Sequence, residues 1–137
     1  MTRTWSYVGE AQELRGAMKY EELEAQVIEW ARQRMILRNG NSQTQLLKTV
    51  SELGELADAV IKEDREKIAD GLGDVLVTLI IVARLEGMDL VDCLAGAYDE
   101  IKDRQGYLND NGVFVKQEKD EEVRFAWTDD YYDKGGK

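Results

Sequence analysis

From Lys19 to Leu37, apolar side chains fall at Leu23, Val27, Trp30, Ala31 and Met35. Steps of three and four predict a single helix over 19–37. The cluster "RNGNSQ" (38–43) reads as a turn, with Asn41 or Ser42 able to cap the next helix. A second helix is expected over 43–63, turning Leu46, Val50, Leu53, Ala57 and Val60 toward the core as one stripe. After the charged connector "KEDREK", a third runs from 65 to 86 and stops near Gly87. From Val75 to Ala83 it is apolar on nearly every side, as in a helix buried all round. Val77 and Ile81 point outward and need cover. A fourth helix is expected over 88–104, with Asp89 as N-cap and Gly106 beyond its end.

The ends break this rhythm. Residues 1–18 form an extension, non-helical apart from a short helix around Glu10–Met18. Residues 107–137 form another, in which the Asn111-Gly112 turn and the extended "VFV" suggest a short hairpin. Its tail, with Phe125, Trp127, Tyr131 and Tyr132, is expected to clasp a neighbouring subunit. The fold class is therefore all-α, resembling a four-helix bundle over residues 19–106.

Composition narrows the function. A chain of 137 residues suits one domain with a real core. A net charge of −10 argues against binding a nucleic-acid polymer, which needs a basic surface. With no histidine, His-ligated zinc, Ser-His-Asp triads and Cys-His dyads are excluded in this chain. The single cysteine, Cys93, permits no intrachain disulfide, and its apolar context "LVDCLAGA" assigns it to the core. The longest apolar run, "VLVTLIIVA", is far short of the roughly 20 residues that span a bilayer. Arg, Trp, Ser, Tyr and Glu among the first residues give no signal-peptide pattern. A cytoplasmic protein without membrane partners is expected.

Any chemistry must then rest on carboxylates and on Lys or Arg. "SELGELADAV" (51–60) and "DGLGDVLVTL" (70–79) each set two acids among aliphatic residues. Glu52 and Glu55 project on one side of their helix with Lys48 between them, opposite the apolar stripe. Taken alone, that side equally describes a solvated face. Asp70 and Asp74 stand one turn apart, and Asp74 opens the wholly apolar segment, so it should not be freely solvated. A buried carboxylate needs a cationic partner. Residues 51–74 hold eight acids against Lys62, Arg65 and Lys67. A divalent cation is the more economical partner, and an all-carboxylate set suits Mg²⁺ or Mn²⁺ rather than zinc. Glycines at 54, 71 and 73 each weaken a helix, which suggests close approach of a neighbouring helix or ligand.

These motifs resemble those of the MazG-like nucleoside triphosphate pyrophosphohydrolases, in the all-α superfamily that also includes dimeric dUTPases. The family pattern is a pair of adjacent glutamates, a third shortly after, and a later Glu-x-x-Asp. Here "SELGEL" supplies Glu52 and Glu55, and "DGLGDVL" supplies Asp74. Ser51 replaces the first glutamate of the pair. Gly71 stands where the Glu of Glu-x-x-Asp belongs, and Asp70 is the natural substitute. The wording resembles small phage-type members, through "YDEIKDRQG" and "NGVFVK", over roughly residues 25–116. The resemblance implies Mg²⁺-dependent hydrolysis, with Mn²⁺ substituting, of a nucleoside triphosphate into monophosphate and pyrophosphate. The substrate expected is a deoxynucleotide, and the protein a homodimer or homotetramer, in the host cytoplasm if phage-encoded. Glu52, Glu55, Asp70 and Asp74 would be the metal ligands, and Glu52 or Glu55 would orient or deprotonate the attacking water.

Phosphate contacts are expected from Lys48, Lys102, Arg104 and Lys116, with Arg104 first because guanidinium forks onto phosphate. Lys48 is equally a surface ion-pair partner of Glu52, and Lys102 and Arg104 equally suit a helix C-terminus. Trp30, Arg34 and Gln45 are candidates for the nucleobase pocket. Two other functions fit less of the pattern. One is an acidic helical oligomerisation module without catalysis. The other is a related phosphohydrolase acting on a dNDP or another pyrophosphate-containing nucleotide.

Overall fold

A computed structural model describes residues 9–117; the aromatic tail lies outside the described residues. Among the described residues six helices precede one hairpin: α1 (Gly9–Ala17), α2 (Tyr20–Gln33), α3 (Ile36–Asn39), α4 (Ser42–Ile61), α5 (Arg65–Leu85) and α6 (Leu90–Ile101), then β1 (Gly106–Leu108) and β2 (Phe114–Lys116). The fold is all-α, and α1 occupies the expected N-terminal stretch. The chain divides into two compact units, Met1–Ala95 and Gly96–Lys137. No helix among the described residues is long and apolar enough to cross a membrane.

In the first unit α4 and α5 lie together as the central pair, and α2 and α3 pack on α5. Asn41 caps α4, its Oδ1 accepting from Thr44 N at 2.8 Å. Asp64 caps α5 through Lys67 N at 3.2 Å, and Asp89 accepts from Val91 N at 2.8 Å at the start of α6. The first long helix is shorter than its periodicity predicts. It ends at Gln33, and Met35 takes a left-handed φ of 61° before α3 begins. Periodicity cannot detect such a break, because it reads side-chain spacing and not backbone dihedrals.

The larger correction concerns which face of α4 is inside. Leu46, Val50, Leu53 and Val60, expected in the core, are exposed. The buried residues of α4 are Thr49, Glu52 and Ala59. Hydrophobicity marks the face that seeks cover; it does not say whether the cover belongs to the same chain. On α5 the error runs the other way: Ile81 is buried and Val77 partly so. Ala31, Ala59, Ile80, Ile81 and Ala83 make the core. Cys93 is exposed, since α6 leaves that face uncovered. Of the glycines at 54, 71 and 73, only Gly71 meets a neighbour, where an added Cβ would stand 3.1 Å from Leu56 Cβ; Gly54 and Gly73 face open space.

In the second unit β1 and β2 pair antiparallel, with Tyr107 opposite Val115. Gly112 supplies the positive φ of 74° that closes the turn, and Asn109 Oδ1 accepts from Asn111 N and Val113 N.

Candidate functional site

The acidic side of α4 faces α5, and that reversal builds the site. Glu52 is buried at 8% exposure, and its Oε1 lies 2.9 Å from Lys48 Nζ, one turn earlier. Hydrogen bonding to Glu52 and its charge raise the Lys48 pKa, with smaller contributions from Glu55 and Asp74. On α5, the Asp74 carboxyl is pushed above the ordinary aspartate range. Desolvation is the first cause, followed by the charges of Glu52 and Asp70, with Lys48 opposing. Asp74 is nonetheless exposed as a whole residue. Its position at the edge of the helix pair reconciles the two: one side meets water, the other meets protein and like charge.

Two cavities open from this pair of helices, and Asp74 lines both. The first, about 460 Å³, has an apolar wall of Trp30, Ile36, Val77 and Ile81. Thr44, Gln45, Lys48 and Glu52 supply its polar groups. Trp30 is half exposed, and the Arg34 guanidinium stacks 5.0 Å from the centre of its ring. The second cavity, about 360 Å³, is bordered by Glu55, Asp70 and Asp74 together with Lys62 and Lys67. Seven of the predicted site residues thus meet at the two cavities, and Arg34 joins them through Trp30.

Three predicted residues belong to the second unit. Arg104 and Lys116 border a cavity of about 500 Å³ there, with Asp99, Glu100 and Asp103. Lys102 is ion-paired with Asp99 at 2.7 Å.

The donors fit a divalent cation in kind. All are carboxylate oxygens, and the charges of Glu52 and Asp70 already bear on Asp74. They do not yet form a cage. The Glu52 carboxylate is paired with Lys48, and no three carboxylates among the described residues converge on one point as the side chains stand.

Residues 41–108 match the family model of the MazG nucleotide pyrophosphohydrolase domain. The chain carries a MazG domain. The match runs from the cap of α4 to the end of β1 and so contains all four acids. An uncharacterized 18.2 kDa protein from the rep-hol intergenic region of Haemophilus phage HP1 (strain HP1c1) is 31% identical over 71 residues. That alignment spans 52% of this chain and 44% of the relative. The fold is similar to that of the cyanophage S-2L MazG-like pyrophosphohydrolase, solved with dGDP and three catalytic Mn²⁺ ions per active site. The likeness has a TM-score of 0.55 at 22% identity, over 74% of this chain and 99% of the other.

Sequence reasoning missed two features of the MazG domain and its surroundings. Lys62 and Lys67 border the second cavity, although "KEDREK" reads as a mere connector. Glu24 on α2 is buried, takes a hydrogen bond from Tyr20, and leaves Oε2 without a hydrogen-bond partner among the described residues. Its position one residue from Leu23 on the apolar face was the available signal.

Proposed function

We propose that the protein hydrolyses deoxynucleoside triphosphates between the α- and β-phosphates, giving monophosphate and pyrophosphate. One observation carries the reading: Asp74 borders both a largely apolar cavity with room for a nucleobase and a second cavity lined by acids and lysines. Trp30 offers the base an aromatic face, and Gln45 an amide for its polar edge. Glu52, Glu55, Asp70 and Asp74 are the ligands assigned to Mg²⁺, or to Mn²⁺ in its place. When bound, the cations neutralise phosphate charge and lower the pKa of water. Glu52 or Glu55 orients or deprotonates the attacking water. Lys48 meets phosphate charge from the α4 side. The dGDP in the cyanophage enzyme supports a nucleotide ligand in this fold.

A second copy of the chain is the partner we assign. Leu46, Leu47, Val50, Leu53, Val60 and Ile61 expose an apolar stripe along α4, which no described residue of its own unit covers. Gly54 and Ala57 lie on the same side and let another helix approach closely. A two-fold contact through α4 hides the stripe in both copies.

Pyrophosphate release from a panel of dNTPs, with and without Mg²⁺, tests the reading. Metal-dependent release of equal amounts of monophosphate and pyrophosphate is expected. Release of orthophosphate instead, or no turnover of any nucleotide, would refute it.

A further inference from the structure

We propose that Met35 is a positioning residue: its left-handed backbone turns Ile36 back beside Trp30 and so completes the wall of the cavity assigned to the nucleobase. The inference rests on the hydrolase reading above and adds a residue outside the cavity itself.

Trp30 and Ile36 line one cavity, together with Val77 and Ile81 of α5. They stand six residues apart. In an unbroken α-helix that spacing sets two side chains about 240° apart around the axis, on different sides. The helix therefore has to stop between them. α2 ends at Gln33, Arg34 takes φ −92° and ψ 11°, and Met35 takes φ 61° and ψ 15°. α3 starts at the next residue, with Ile36 as its first. No loop intervenes, so the dihedrals of Arg34 and Met35 set how the two wall residues face each other. Arg34 keeps its guanidinium 5.0 Å from the centre of the Trp30 ring.

The left-handed region crowds the Cβ of an L-residue, and asparagine tolerates it better than a long apolar side chain does. Met35 and Glu63 are the non-glycine residues with positive φ among the described residues. Glu63 is accounted for as a helix end. Its N–H donates to Val60 O at 3.1 Å and that of Asp64 to Ala59 O at 3.0 Å, the paired bonds that close α4. At Met35 the first bond recurs, from Met35 N to Arg32 O at 3.0 Å, without the matching bond from Ile36 N to Ala31 O. A plain helix end would also let the chain leave in any direction. Here the strained residue stands between two residues of one cavity wall, and strain of this kind persists where a geometry has to be held. The Met35 side chain is 41% exposed and does not line the cavity, which leaves the backbone as its contribution.

Steady-state kinetics on the full chain with Mn²⁺, using the deoxynucleoside triphosphate it turns over fastest, tests this. Valine is β-branched and rejects positive φ, whereas asparagine accepts it. Met35→Val should raise KM at least about fivefold with kcat within about twofold, the split expected when binding alone is disturbed. Met35→Asn, which loses the side chain and keeps the backbone, should hold both within about twofold. Calorimetric titration with Mn²⁺ alone should give one affinity for all three proteins, because the four acids stand on α4 and α5. If Met35→Val loses its helical circular dichroism, Met35→Ala takes its place. Alanine shortens the side chain as asparagine does but favours the right-handed helix, so its KM should exceed that of Met35→Asn. A wild-type KM in the valine variant, or in the alanine variant that replaces it, overturns the proposal. An equal rise in Met35→Asn also overturns it, because the side chain would then be the cause. So does a parallel loss of Mn²⁺ affinity, which marks a general disturbance of the fold. A wild-type chain that turns over no deoxynucleoside triphosphate overturns the hydrolase reading itself, and this proposal with it.

Discussion

Lys48 Nζ and Glu52 Oε1 stand 2.9 Å apart, yet the lysine side chain is 60% exposed and the glutamate side chain only 10%. The ammonium is solvated by water and the carboxylate chiefly by the ammonium. Lys48→Met therefore removes little from lysine but leaves Glu52 poorly compensated. A modest fall in melting temperature is expected, as for other partly exposed pairs. A divalent cation can take over that role, so Mn²⁺ should raise the melting temperature of Lys48→Met more than that of wild type. Equal increments in the two proteins would detach Glu52 from the metal site.

Glu55 and Asp70 test the acid set from the second cavity. Glu55→Gln removes a charge at nearly constant volume, so helicity should persist while Mn²⁺ binding weakens and turnover is abolished. Asp70→Asn should lower the rate at least about tenfold, or about 1.4 kcal/mol of barrier. A rate near wild type for Asp70→Asn would mean that Gly71 marks a lost ligand with no substitute.

Helix order and the caps at Asn41 and Asp89 were legible because they depend on local spacing and local hydrogen bonds. The acids were legible as a group for the same reason. The inner face of α4 was not. Its apolar stripe is the stronger signal, but Thr49, Glu52 and Ala59 pack inward and Leu46, Val50 and Leu53 outward. A helix that serves a charged site on one side and needs cover on the other defeats the rule that apolar means inside. The break at Met35 was hidden for another reason: a single left-handed residue leaves no trace in hydrophobic spacing.

The outward stripe makes assembly testable. Leu53→Lys places a charge in the middle of the α4 face, where Leu53 is 47% exposed within its own chain. Light scattering should give an oligomer for wild type and the monomer mass of 15.6 kDa for the variant. A wild-type monomer at micromolar concentration would rule out the second copy as partner.

Tyr20 predicts an alkaline limit. Its pKa is pushed up to about 12 by desolvation, then by its hydrogen bond to Glu24 and the charges of Glu24 and Asp89. The fold therefore favours the neutral phenol. Its contribution is complete below the unfolded value near 10 and is lost as pH rises from about 10 toward 12. Denaturant midpoints should fall across that window in wild type, and less steeply in Tyr20→Phe. Parallel curves would show that Tyr20 ionises freely. The hydroxyl's loss also deprives Glu24 of its donor, at a cost of about 1 kcal/mol at neutral pH.

Gly71 and Gly73 lie two residues apart on α5 but answer differently to a methyl group. Within a helix, glycine to alanine gains roughly 0.8–1 kcal/mol of propensity where space permits. At Gly73 nothing lies within 4 Å of an added Cβ, so Gly73→Ala should raise the melting temperature. At Gly71 the same atom would stand 3.1 Å from Leu56 Cβ and Cδ1 and 3.3 Å from Leu56 Cα. The side-chain end can turn away, but Cα moves only with α4. Parting α4 from α5 would also separate Glu52 and Glu55 from Asp70 and Asp74. Gly71→Ala should therefore lose the propensity gain and weaken Mn²⁺ binding, while Gly73→Ala keeps its stability gain. Equal rises in melting temperature for the two variants, with unchanged Mn²⁺ affinity, would mean that the spacing of α4 and α5 does not set the geometry of the acids.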